Sequence, residues 1–156
     1  MEGTAQMFWE RLYAGIVARS AFGKSIDQMK AECFDAIKKR IDEDAGDLPF
    51  TSDAYLRKIG MSLVATCLIR SGKLNVDPEG RKMILYINDE LDRERCDEII
   101  AHEIGHSYMM DRRSYKFYSD RGIPYFFMMI STPDEYMKTE EDFATEIGAY
   151  LMRAHR

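Results

Sequence analysis

His102, Glu103 and His106 form the pattern H-E-x-x-H inside the stretch ERCDEIIAHEIGHSYMM. On a helix each residue turns the chain by about 100°. His106 then lies roughly 40° and Glu103 roughly 100° from His102, so the three side chains share one arc. Two imidazoles one turn apart can offer ring nitrogens to a single Zn²⁺, and a glutamate between them can act as general base on a water at that ion. Zinc lowers the pKa of such a water to about 7, which makes attack on a peptide carbonyl feasible near neutral pH. The neighbours Ile99, Ile100, Ala101, Ile104, Ser107 and Tyr108 are uncharged and suit a helix buried against a sheet. The whole chain holds three histidines, and two of them fall at this spacing.

A catalytic zinc takes a third protein ligand and keeps one position open. Ser107 to Arg112 bring no further histidine, which excludes the class in which Gly and His follow the second ligand. His155 is penultimate in the chain, where fraying is expected, and ranks behind the acidic run Glu140-Glu141-Asp142 with Glu146 one turn on. Glu141 is favoured because Ala144, Gly148 and Leu151 follow it at helical spacing and would face a core. Thr145, at i+4 from Glu141, is placed to be a hydrogen-bond partner within the site. Glu140, Asp142 and Glu146 stay open as alternatives. A tetrahedral intermediate also needs a donor besides zinc. Tyr108, Tyr136 and Tyr150 are candidates among nine tyrosines.

The elements that must position these residues are legible in outline. Phe8, Trp9, Leu12, Tyr13, Ile16 and Val17 recur on one face of an N-terminal helix. Ser25 followed by Gln28 is a capping box that opens a second helix, with Met29, Cys33, Ile37 and Ile41 on one stripe. Asp53 reads as the N-cap of a short helix that Gly60 closes. Residues 61–69 read as a strand bounded by Gly60 and Ser71-Gly72. Asp77-Pro78-Glu79-Gly80 reads as a type I turn joining Lys73–Val76 to Arg81–Ile87. Together these predict a three-stranded antiparallel meander. Asp92 caps a helix over about 93–110, and a last helix starts near Pro133 or Glu140 and runs to Arg153.

Length and composition bound the rest. One hundred and fifty-six residues, 46% hydrophobic, make a single domain, helical over 1–50 with the site-bearing part over 53–156. Twenty-two basic against 27 acidic residues give a net charge of −5, which counts against a nucleic-acid or anionic-membrane binder. Cys33, Cys67 and Cys96 form no C-x-x-C, as expected for free thiols in a reducing compartment. The N-terminus lacks a basic run ahead of its apolar residues, and the runs Met61–Ile69 and Ile123–Ile130 fall well short of a membrane span. A cytoplasmic location is the expectation. Residues 111–139 carry Tyr115, Phe117, Tyr118, Tyr125, Phe126, Phe127, Met128 and Met129, read as core or as a hydrophobic lid.

Four segments carry a resemblance: RKIG (57–60), DPEGRKMILYIN (77–88), ERCDEIIAHEIGH (94–106) and EDFATEIGAYLM (141–152). They resemble the ImmA/IrrE-type zinc metallopeptidases, most specifically from the sheet to the H-E-x-x-H stretch. The resemblance implies an α+β, zincin-like fold, with the small antiparallel sheet packed on the H-E-x-x-H helix. It also implies His102, His106 and Glu141 as zinc ligands and Glu103 as catalytic base. The chain departs from the family pattern at Thr145, where Asn is usual, and at Ile147-Gly148, where Phe-Ala is usual. The function so implied is a zinc metalloendopeptidase of a cytoplasmic protein, such as a helix-turn-helix repressor, with no direct nucleic-acid contact. The alternative is a zinc-containing regulatory protein that binds such a partner without cleaving it.

Overall fold

Ser25 and Gln28 open the first described helix by exchanging bonds. The Gln28 amide donates to Ser25 Oγ at 3.2 Å, and the Ser25 amide donates to Gln28 Oε1 at 2.9 Å. Two of the four amides that a helix start leaves without partners are satisfied in this way. The computed structural model describes residues 23–66, 72–77, 82–110 and 136–156. Its elements run α1 (Ile26–Ala45), α2 (Asp53–Lys58), β1 (Met61–Thr66), β2 (Gly72–Asp77), β3 (Lys82–Asn88), α3 (Arg93–Met110) and α4 (Tyr136–Ala154). The N-terminal helix expected over Phe8–Val17, the turn at 78–80, the end of the expected strand at 67–69 and most of the 111–139 segment lie outside the described residues.

The chain divides into two compact units, Met1–Ile37 with His106–Phe143, and Lys38–Gly105 with Ala144–Arg156. In the first, Met29, Cys33 and Ile37 form a buried stripe on α1, and Tyr108, Met109 and Phe143 are buried on α3 and α4. Phe34 meets Phe143 edge-on, with ring centroids 5.8 Å apart, the arrangement that aromatic quadrupoles favour. Burial pushes the Cys33 thiol up to about 12, aided by the neighbouring charge of Glu32. Cys33 is therefore an apolar core residue and not a nucleophile.

In the second unit, α2 starts at Ser52, whose Oγ accepts the Tyr55 amide at 3.2 Å. Asp53 is the first helical residue and not the cap. Gly60 ends the helix at φ 77°, a left-handed conformation that costs glycine nothing, and its carbonyl accepts the Met83 amide at 2.8 Å. That bond seats the start of β1 beside the start of β3.

The sheet differs from the expected meander. Its order is β1-β3-β2: β1 pairs parallel to β3 from Met61↔Met83 to Thr66↔Asn88, and β2 pairs antiparallel to β3. The antiparallel three-stranded sheet expected from the sequence is therefore wrong for this chain, and with it the zincin-like architecture built on that sheet. The physical reason lies in strand composition. A central strand takes neighbours on both edges and suits the most continuous apolar run, here KMILYIN, with Leu85 and Ile87 buried. GKLNVD, interrupted by Lys73, Asn75 and Asp77, suits an edge. Chain order put β2 in the middle; hydrophobicity puts β3 there.

Further core residues of this unit are Ile41, Phe50, Tyr55, Leu56, Met61, Ile100, Ala101, Ile104, Ala144, Ile147 and Leu151. Among the described residues, no helix is long and apolar enough to cross a membrane.

The end of the chain is tied down. His155 places Nε2 2.7 Å from Asp42 Oδ1, the Tyr150 hydroxyl donates to the same oxygen at 2.6 Å, and the Phe50 amide donates to the His155 carbonyl at 2.6 Å. Partial burial raises the Asp42 carboxyl, but the bonds from Tyr150 and His155 and the charges of His155 and Lys38 outweigh it and hold it low. Burial and then the bond to Asp42 push Tyr150 up to about 12. A phenol with a raised folded value stabilises fully below its unfolded pKa, near 10, and loses that contribution as pH rises towards the folded one. Urea midpoints followed by tryptophan or circular dichroism signals should fall between about pH 10 and 12, with unfolding releasing up to about one proton. Tyr150→Phe should flatten the curve in that window, and an unchanged slope would remove Tyr150 from the account.

Candidate metal centre

Helix α3 begins at Asp92, whose Oδ1 accepts the Arg95 amide at 2.8 Å. A capping carboxylate at this end also sits favourably against the helix dipole. Along the helix, Ile100, Ala101, Ile104, Ser107, Tyr108 and Met109 are buried. His102, Glu103 and His106 are half-buried along one arc of the same helix. The apolar positions hold the helix in place, and the three polar residues ride on its rim.

Helix α4 has the matching pattern. Phe143, Ala144, Ile147 and Leu151 are buried, while the Glu141 side chain keeps 59% of its exposure. The backbones of α3 and α4 meet where both sequences are small. A Cβ on Gly105 would stand 2.6 Å from the Ala144 carbonyl oxygen, and a Cβ on Gly148 would stand 3.1 Å from the backbone nitrogen of His102. No ordinary side chain fits at the first of these points.

This approach sets the polar contacts. Thr145 Oγ1 lies 3.2 Å from His102 Nδ1. With Nδ1 facing Thr145, Nε2 is the nitrogen of His102 that could be offered to an ion. On His106, Nε2 lies 3.2 Å from Glu141 Oε1, and Nδ1 lies 3.6 Å from Glu140 Oε1. One candidate ligand atom from each of His102, His106 and Glu141 falls within 4.8 Å of the other two.

Two imidazoles and one carboxylate can hold a metal ion. Ligand atoms at 2.0–2.1 Å from a tetrahedral zinc stand about 3.3 Å apart. The 3.2 Å between His106 Nε2 and Glu141 Oε1 is therefore the length of one edge of such a site. The carboxylate that completes the group comes from a separate helix, which is why spacing alone could rank it but not decide it.

The other candidates are placed elsewhere. Asp142 pairs with Lys138 at 2.8 Å in an exposed i,i+4 bridge, and Glu146 is exposed. His155 belongs to the Asp42 network. Among the proposed oxyanion donors, Tyr108 is 2% exposed and Tyr150 gives its hydroxyl to Asp42. The Tyr136 side chain lies outside the described residues. Sequence reasoning turned Gly148 towards a core but missed Gly105 and the backbone contact that the two glycines allow. The signal was present as Ala101-x-x-x-Gly105 and Ala144-x-x-x-Gly148, small residues one turn apart on each helix.

No model of a known protein family matches the chain, and no curated protein matches it. The geometry of the His102, His106 and Glu141 group therefore carries the functional argument.

Gly105→Ala should force α3 and α4 apart, because the obstacle is a backbone carbonyl that cannot rotate away. Overpacking of this kind costs about 1–3 kcal/mol, against a gain of about 0.5–1 kcal/mol in helix propensity. Gly148→Ala meets atoms at 3.1 Å and should cost less. Chemical denaturation of the two variants should rank them in that order. The reverse ranking would mean that the helices do not meet as described.

Proposed function

We propose that the chain is a zinc-dependent metallopeptidase acting on a protein substrate in the cytoplasm. The observation that carries the reading is the His102–His106–Glu141 group, with Glu103 on the same arc of α3 as the two histidines. His102, His106 and Glu141 would hold the ion, and the donor set leaves room for water or a substrate carbonyl. When bound, zinc supplies a Lewis acid and brings the pKa of water down to about 7.

The chain's own part in the reaction falls to Glu103. Half-buried between two ligand residues, its carboxylate is suited to take a proton from the attacking water and return it to the leaving amide nitrogen. Thr145 keeps the His102 ring turned so that its metal-binding nitrogen stays in place. The resemblance of residues 57–60, 77–88, 94–106 and 141–152 to the ImmA/IrrE-type peptidases supports a repressor of the helix-turn-helix class as substrate.

Protein grown in zinc-containing medium should carry about one zinc per chain by elemental analysis. Glu103→Gln should retain it, and His106→Ala should lose it. Cleavage of a helix-turn-helix repressor encoded beside the gene should fall about 10²–10⁴-fold in Glu103→Gln. Metal-free wild type would overturn the metal reading. Equal cleavage by Glu103→Gln, or none by zinc-loaded wild type, would overturn the peptidase reading.

A further inference from the structure

His106 is unusual in that an acidic side chain faces each of its ring nitrogens: Glu141 at Nε2, 3.2 Å away, and Glu140 at Nδ1, 3.6 Å away. The two carboxylates differ in setting. The Glu141 side chain is 59% exposed, whereas that of Glu140 is 26% exposed and that of His106 only 15%. Adjacent residues on a helix point about 100° apart, so the two cannot present their carboxylates to a single ion from the same direction.

We propose that Glu140 is a positioning residue for His106: its charge holds the proton on Nδ1 and so presents the Nε2 lone pair to the metal. The inference rests on the metal reading above. At 3.6 Å the contact is of ion-pair length and longer than a good hydrogen bond. What Glu140 contributes is accordingly negative charge beside a half-buried ring, and that charge acts more strongly in a partly desolvated setting than in open water. A carboxylate in this position fixes the tautomer and orientation of a ligand histidine and makes it a better donor. His102 is served differently, by the neutral hydroxyl of Thr145. The two histidines of the H-E-x-x-H pattern thus have unlike supports, both drawn from α4.

The test is the zinc dissociation constant, measured by competition with a chromophoric chelator, for wild type, Glu140→Gln, Glu140→Asp and Asp142→Asn. Asp142→Asn makes the same change of charge on the same helix, at a residue bound to Lys138 in an exposed bridge. Glu140→Gln should weaken zinc about 10–100-fold, Glu140→Asp should recover part of that loss, and Asp142→Asn should bind as wild type does. The visible spectrum of the cobalt-substituted protein should shift in Glu140→Gln while the melting temperature of the metal-free protein stays unchanged. A purely structural role would move the melting temperature and leave the spectrum alone.

Wild-type affinity in Glu140→Gln, with zinc still lost in His106→Ala, would overturn this inference and leave the metal centre standing. Abolished binding in Glu140→Gln, with binding retained in Glu141→Gln, would make Glu140 the ligand and overturn the positioning role. Absence of zinc from every form, wild type included, would overturn both readings together.

Discussion

The close approach of α3 and α4 is the constraint on which the candidate centre depends. Gly105 lies against the backbone of Ala144, and Gly148 against the backbone of Ala101 and His102. Helices separated by ordinary side chains sit with their axes 8–10 Å apart, and glycine and alanine at the contact allow the short end of that range. Glu141 and Thr145 are short levers on α4. With the helices farther apart, neither would reach the imidazoles of α3, and the two histidines would be solvated groups on a helix rim.

Other residues of the same unit are buried or bonded along these helices. Ile104 and Ile147 are buried beside the glycines and contribute burial without adding width at the contact itself. At the far end of α4, His155 and Tyr150 fasten the last turn to Asp42 of α1. The sheet contributes Leu85 and Ile87 from its central strand, and Ile99 of α3 reaches towards Gly72 of β2.

Local signals were legible in the sequence and long-range ones were only partly so. The Ser25/Gln28 box, the Asp92 cap and the Gly60 stop depend on residues within a turn of one another, and their chemistry can be read directly. The H-E-x-x-H pattern is local in the same sense. The sheet departs from the expected meander because the apolar run of β3 takes the centre and leaves β1 parallel at its edge, so that β1 and β2, neighbours in sequence, do not pair. His155 had no readable role, since its partners Asp42 and Phe50 lie more than a hundred residues away. Spacing ranked Glu141 ahead of Glu140 without deciding between them, because what distinguishes the two is which nitrogen of His106 each one faces.

The central claim is that one metal ion is held by two histidines of one helix and a carboxylate of another. X-ray absorption at the zinc edge of the purified protein tests it without reference to substrate. The account predicts a shell of nitrogen and oxygen ligands at about 2.0–2.1 Å with an imidazole scattering pattern from two rings. It also predicts that the pattern of one ring disappears in His102→Ala. Sulfur ligands at about 2.3 Å, or a spectrum unaltered by the loss of His102, would place the metal elsewhere and contradict the account.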